Sequence, residues 1–183
     1  MIALRLIRID DMDIVRAWRN SEDVSQWMIG DHKVSEDEHR RWFTKMLTDQ
    51  TCRYWIVEVD GVGVGVVSLN QIDTHHQRCS WTFYLAEPSV RGRGVGSVVE
   101  FLILEQAFTV MGLAKLSGEV LEFNAPVLGL HRKFGYLDEG RLVSHVVKGG
   151  KRFDVLLIAH FRERWFGMRN TMRAELVKKG LLA

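Results

Sequence analysis

From Ala3 to Ile9 apolar and polar side chains alternate, the period of a strand that buries one face. Asp10 or Asp11 is then placed to cap a helix carrying Met12, Ile14, Val15 and Trp18. Ser35 and Glu38 have the form of a capping box ahead of Trp42, Phe43, Met46 and Leu47, which predicts a second helix. Tyr54–Val59 and Val64–Ile72 read as a hairpin about Asp60-Gly61, with Cys79–Leu85 as a further strand, so the sheet begins antiparallel. A Gly-rich stretch follows. Beyond it Val95, Val98, Val99, Leu102, Ile103, Gln106 and Phe108 outline a helix with one broad apolar face, ending near Met111-Gly112.

Lys115–Leu121 is the next strand, and a right-handed crossover through that helix sets it parallel to Cys79–Leu85. Ala125 to Lys133 forms a short helix with Pro126 in its first turn. Leu137–Val147 and Arg152–His160 make a closing hairpin around Lys148-Gly149-Gly150. Arg162–Lys179 reads as an amphipathic helix, with Phe161, Trp165, Met168, Met172 and Leu176 on one face, docked on the domain or on a partner subunit. The expected fold is α/β, an α+β mixed sheet in one domain spanning residues 1–183, with 162–183 as its C-terminal helix.

Composition narrows the class. With 46% hydrophobic and 26% charged residues and a net charge of +2, the 183-residue chain is an ordinary globular one, and its charge argues against a dedicated nucleic-acid surface. Cys52 and Cys79 are the only cysteines and fit neither a disulfide framework nor zinc-ligand spacing, so a reducing cytoplasm is expected. The arginines at Arg5 and Arg8 interrupt what a signal peptide would need, and no segment approaches a membrane span. His32 and His39, and the pair His75-His76, lack a further ligand at standard spacing, so no metal is expected.

The candidate chemistry centres on residues 90–97, Val-Arg-Gly-Arg-Gly-Val-Gly-Ser, between a strand and a helix. Glycines at 92, 94 and 96 leave room for backbone amides and the positive end of the helix to converge on phosphate oxygens, and Arg91 and Arg93 add charge. The spacing Arg91-x-x-Gly94-x-Gly96 is neither the dinucleotide fingerprint nor the Walker pattern, which leaves the pyrophosphate of another carrier.

This strand-turn-helix-strand order, followed by Asn124 and a helix closing on Lys133-Phe134-Gly135-Tyr136, resembles the GNAT-superfamily N-acetyltransferases. The resemblance implies acetyl-CoA as acetyl donor, held by Arg91, Gly92, Arg93, Gly94, Val95, Gly96 and Ser97, with Asn124 and Lys133 nearby. It also implies a sheet that splays to admit the pantetheine arm. A backbone amide in the Phe83–Leu85 stretch would polarise the thioester carbonyl, which makes Phe83 and Leu85 candidates.

A tyrosine commonly stands four residues before the glycine of this block; here His131 does, and it becomes the candidate acid for the departing sulfur. Glu119 is the candidate base for the amine, with Asp31, His32 and Glu122 competing. The run Arg19-Asn20, Val24, Trp27-Met28, Asp31-His32, Glu38-His39 and Trp42 resembles one branch, the nucleotide-sugar N-acetyltransferases of pseudaminic-acid biosynthesis. That branch acetylates the 4-amino group of UDP-4-amino-4,6-dideoxy-N-acetyl-β-L-altrosamine. Arg19 and Asn20 would then meet the diphosphate sugar; Trp27, Met28, His32, Trp42, Tyr54 and Trp81 supply candidate acceptor contacts. A protein N-terminus or a polyamine is the alternative acceptor, and a non-catalytic acyl-CoA-binding module the alternative of a different class. A homodimer is expected from the apolar face of the tail.

Overall fold

A computed structural model describes residues 1–182. Strands β1 (Ile2–Leu6), β2 (Arg53–Val59), β3 (Val62–Asp73), β4 (Arg78–Leu85), β5 (Lys115–Leu121), β6 (Leu137–Lys148) and β7 (Lys151–Phe161) join in one sheet of order β1-β2-β3-β4-β5-β7-β6. Only β4 and β5 run parallel, and they pair at Arg78 with Lys115, Cys79 with Leu116 and Ser80 with Ser117. Beyond those pairs β4 continues to Leu85 and β5 to Leu121 with no ladder between them, so the sheet opens in a V.

Helices α1 (Met12–Asn20), α2 (Glu22–Ser25) and α3 (Glu36–Thr48) cover one face through Val15, Trp18, Val24, Phe43 and Met46, which pack with Ile56 and Val66. Helices α4 (Val95–Leu104), α5 (Ala125–Lys133) and α6 (Arg162–Lys178) cover the other, over a larger core that takes Val67, Leu69 and Trp81 from the sheet. Because both faces are covered, β3 is buried without a break from Val64 to Leu69. Close strand approach also shapes it: a Cβ on Gly65 would lie 2.2 Å from the Tyr84 carbonyl oxygen.

Several sequence expectations shift. The first strand ends at Leu6, and Ile9–Asp11 forms a short 3-10 turn instead. Asp11 gives its carboxylate to the Arg8 amide and the Arg5 guanidinium rather than to the start of α1. Ser35 does cap α3 by accepting from the Glu38 amide, but the Glu38 carboxylate meets His32 and leaves the capping box half formed. The crossover helix turns π-helical over Glu105–Val110, where the Glu105 carboxylate is held by Trp165 and Arg169 of α6. Trp165, Met172 and Leu176 bury against the chain's own core. Three of the five side chains on the face that suggested a homodimer thus pack inside the chain, and Arg162, Arg164 and Arg169 are tied to Gly112, Gly135 and Glu105.

Candidate active site

The Gly-rich turn sits at the open end of the V, where β4 gives way to α4. Gly92 and Gly94 have φ of 73° and 80°, and Gly94 is the residue from which α4 starts. Its carbonyl accepts from the Ser97 and Val98 amides, while none of the amides from Gly92 to Gly96 has a backbone acceptor among the described residues. A run of unsatisfied donors on a helix N-terminus is what a phosphate group requires. The turn therefore fits the pyrophosphate of acetyl-CoA. Arg93 is exposed on it. Arg91 instead binds Asp23 Oδ1 at 2.9 Å and reaches the Leu85 carbonyl, so it ties the turn to α2. Lys133 is paired with Glu175 of α6 at 3.2 Å.

The segment after α2 bridges the mouth of the V on the face opposite α4. Besides the Arg91–Asp23 pair, Trp27 packs against Phe123 just beyond β5, and Phe123 packs on Phe153 of β7. Lys148, at the tip of the β6–β7 hairpin, donates to the Met28 carbonyl at 2.6 Å. Arg19 donates to the Gly30 carbonyl, and Asn20 pairs with both backbone groups of Val34. Asn20 thus shapes the loop with its whole amide. His32 is exposed and bound to Glu38.

At the vertex, this face carries a line of small polar groups. Tyr54 Oη donates to Asn70 Oδ1 at 2.7 Å, Asn70 donates to Ser68 Oγ, and Ser68 meets Thr82 Oγ1 at 2.9 Å. Burial pushes the Tyr54 phenol up to about 12, so it remains a neutral donor. A groove of about 610 Å³ lies beside this line, lined by Thr51, Gln71, Ile72, Asp73, Ser80 and Ser117. It adjoins a smaller one of about 230 Å³ that includes Trp42, Lys45, Asp49 and Tyr54. Asp73 has Arg78 at 3.7 Å, and Asp49 is held in its charged form chiefly by the Thr51 hydroxyl and amide, with Lys45 adding a lesser attraction. Glu119, two residues after Ser117 on β5, is exposed on the same face by strand alternation.

On the other face of the V lie Trp81, Phe83 and His131. Trp81 is buried and stacks on Phe83 at 5.3 Å, with its indole nitrogen close over Gly118 of β5. That burial removes Trp81 from the acceptor face. His131 of α5 presents its ring to Trp81 at 5.2 Å and to Tyr136 at 5.0 Å. Its Nδ1 lies 3.0 Å from both carboxylate oxygens of Glu100 on α4. Glu100 is fully buried and was passed over by sequence reasoning, although a lone carboxylate within the apolar run Val95–Leu104 was the available signal. Asn124 stands at the start of α5, two turns from His131, and its side chain makes no capping bond. No group of metal-ligating side chains occurs among the described residues, and no helix of theirs is long and apolar enough to cross a membrane.

Comparison with known proteins agrees with this geometry. The spermidine N(1)-acetyltransferase of Escherichia coli K12 is 25% identical over 177 residues, covering 97% of this chain and 95% of its own. Acetyltransferase PseH of Campylobacter jejuni serotype O:2 is 29% identical over 133 residues, 72% of this chain and 81% of its own. The crystal structure of Vibrio cholerae spermidine N-acetyltransferase in complex with CoA and spermine superposes with a TM-score of 0.84 at 22% identity, over 90% of this chain and 98% of that one. Residues 2–137 match the family described as acetyltransferase (GNAT) domain. The chain belongs to the GNAT acetyltransferase family, and its reaction is N-acetyl transfer from acetyl-CoA.

Proposed function

We propose that the acceptor is the amine of a nucleotide-linked amino sugar, UDP-4-amino-4,6-dideoxy-N-acetyl-β-L-altrosamine. The observation that carries this is the neutral polar line at the vertex, in which Tyr54, Asn70 and Thr82, backed by buried Ser68, offer hydroxyl and amide groups that suit sugar hydroxyl and acetamido groups. Exposed Trp27 and Trp42 flank the approach and offer apolar faces for a base or a deoxysugar methyl. In this reading Glu119 accepts the amine proton, directly or through water, from the acceptor side. His131 returns a proton to sulfur from the opposite side of the V. The similarity to PseH agrees with it over part of the chain.

A polyamine is the second reading. It is favoured by the spermidine N(1)-acetyltransferases of Escherichia coli and Vibrio cholerae, which are similar over 97% and 84% of this chain. A polycation needs carboxylates without competing partners, whereas the groove's Asp73 has Arg78 beside it and Asp49 is already bonded by Thr51. A thiol-release assay with the UDP-amino sugar, spermidine and an N-terminal peptide decides between them. The amino sugar is expected to show the highest kcat/KM, and a higher value for spermidine would replace this acceptor with a polyamine.

A further inference from the structure

We propose that Glu100 is the positioning residue for the acid, holding the His131 ring in the protonation state and orientation that delivers a proton to the departing sulfur. This rests on the role given to His131 above, but not on which amine is the acceptor. The pair is buried on both sides, with side-chain exposures of 5% for His131 and 0% for Glu100. A carboxylate shut away from water needs a partner that donates to it, and His131 Nδ1, 3.0 Å from each oxygen, is that donor. The contact fixes the proton on Nδ1 and leaves Nε2 as the ring nitrogen for transfer.

The surroundings support a built site. α4 and α5 supply Glu100 and His131, and β4 supplies Trp81 and Phe83 along the edge that has no ladder partner. Tyr136, next to β6, presents a buried hydroxyl close to Glu100 and to the Trp81 indole nitrogen, but neither the hydroxyl nor the indole nitrogen makes a well-formed hydrogen bond. The other titratable groups facing this cluster are Cys79 of β4, which acts electrostatically on Tyr136, and His160 of β7, whose ring lies 5.1 Å from that of Tyr136. Burial raises both the Tyr136 phenol, further disfavoured by Glu100, and the Cys79 thiol. Neither competes as the proton source near neutrality, and His160 donates instead to the Phe134 carbonyl through Nε2 at 2.8 Å.

In the step itself the amine nitrogen bonds to the acetyl carbon and the carbon–sulfur bond breaks. The electron pair left on sulfur takes the proton from His131 Nε2, while the amine proton leaves on the acceptor side. The neutral ring then keeps its Nδ1–H on an ionised Glu100, so one proton has moved and the carboxylate has not been protonated.

The test uses Glu100→Gln, which preserves shape and removes the charge, in the full chain with whichever amine the parent turns over best. We expect kcat to fall about 10²-fold, with the KM for acetyl-CoA within twofold. The double variant Glu100→Gln/His131→Ala should be no slower than His131→Ala alone. Calorimetric acetyl-CoA binding confirms that each variant is folded. Unchanged kcat, or fully multiplicative losses in the double variant, overturns the proposal. A parent that prefers spermidine overturns the amino-sugar reading and leaves this experiment intact.

Discussion

Gly94→Ala tests the anion cradle through two separable effects. With φ at 80°, the residue occupies the left-handed region, where a side chain costs about 1–2 kcal/mol. The added Cβ would also lie 2.5 Å from Leu181 Cδ1, the end of a partly buried side chain that must turn aside to relieve the contact. Loss of part of a leucine's burial adds about 1 kcal/mol. The sum of about 2–3 kcal/mol corresponds to a melting temperature lower by about 4–12 °C in a chain of this size. Gly92→Ala carries the backbone cost alone, since φ is 73° and nothing lies within 4 Å of its Cβ, so a loss of about 2–8 °C is expected. Gly96→Ala sits within α4, where alanine gains roughly 0.5–1 kcal/mol against a 3.3 Å contact with Leu130, and should melt close to the parent. Twisting the turn at Gly94 misdirects the unpartnered amides, and each lost hydrogen bond to a charged group is worth about 1.5–3 kcal/mol. Acetyl-CoA should therefore bind about 10–100-fold more weakly by titration calorimetry. A Gly94→Ala protein that binds acetyl-CoA as tightly as the parent would refute the amide cradle, whatever its melting temperature.

Three further outcomes follow from the fold. Gly65→Ala places a methyl against the Tyr84 carbonyl, a backbone atom that cannot yield without moving β4; thermal melting should show a loss of about 3 kcal/mol, and a neutral result would contradict the strand approach. Tyr54→Phe removes the donor to Asn70, so stability should fall by about 1 kcal/mol and acceptor kcat/KM by about 10-fold, with acetyl-CoA affinity unchanged. Burial holds His39 below its ordinary 6.5 against its bond to the Met12 carbonyl, so the fold favours the neutral ring. The unfolded chain takes up that proton first, and stability present above pH 6.5 is lost as pH falls toward the depressed folded value. Melting temperatures between pH 7.5 and 5.5 should decline less steeply in His39→Gln than in the parent, and identical slopes would count against the argument.

The turn and its flanking elements were legible because local chemistry dictates them. Glycines 92 and 94 adopt positive φ, α4 begins at Val95, and α5 runs from Ala125 to Lys133 with Pro126 in its first turn, as their spacing implies. The roles of charged and aromatic side chains were less so. Arg91 offered itself as a phosphate ligand until Asp23, far away in sequence, claimed one side of its fork. Trp81 offered itself as a pocket wall, but strand alternation turns it toward the helix face where β5 closes over it.

What the sequence determined alone was the order of strands and helices and the place of the Gly-rich turn, because hydrophobic period, capping and glycine conformation act within a few residues. What the tertiary structure decided was which groups meet. β4 and β5 separate after Ser80 and Ser117, α2 and the segment after it reach across the gap through Asp23 and Trp27, and Glu100 comes to rest on His131 from another helix. Those meetings depend on how two helical layers pack on a split sheet. A carboxylate 31 positions away in the chain acquires its partner only when that packing excludes water from both.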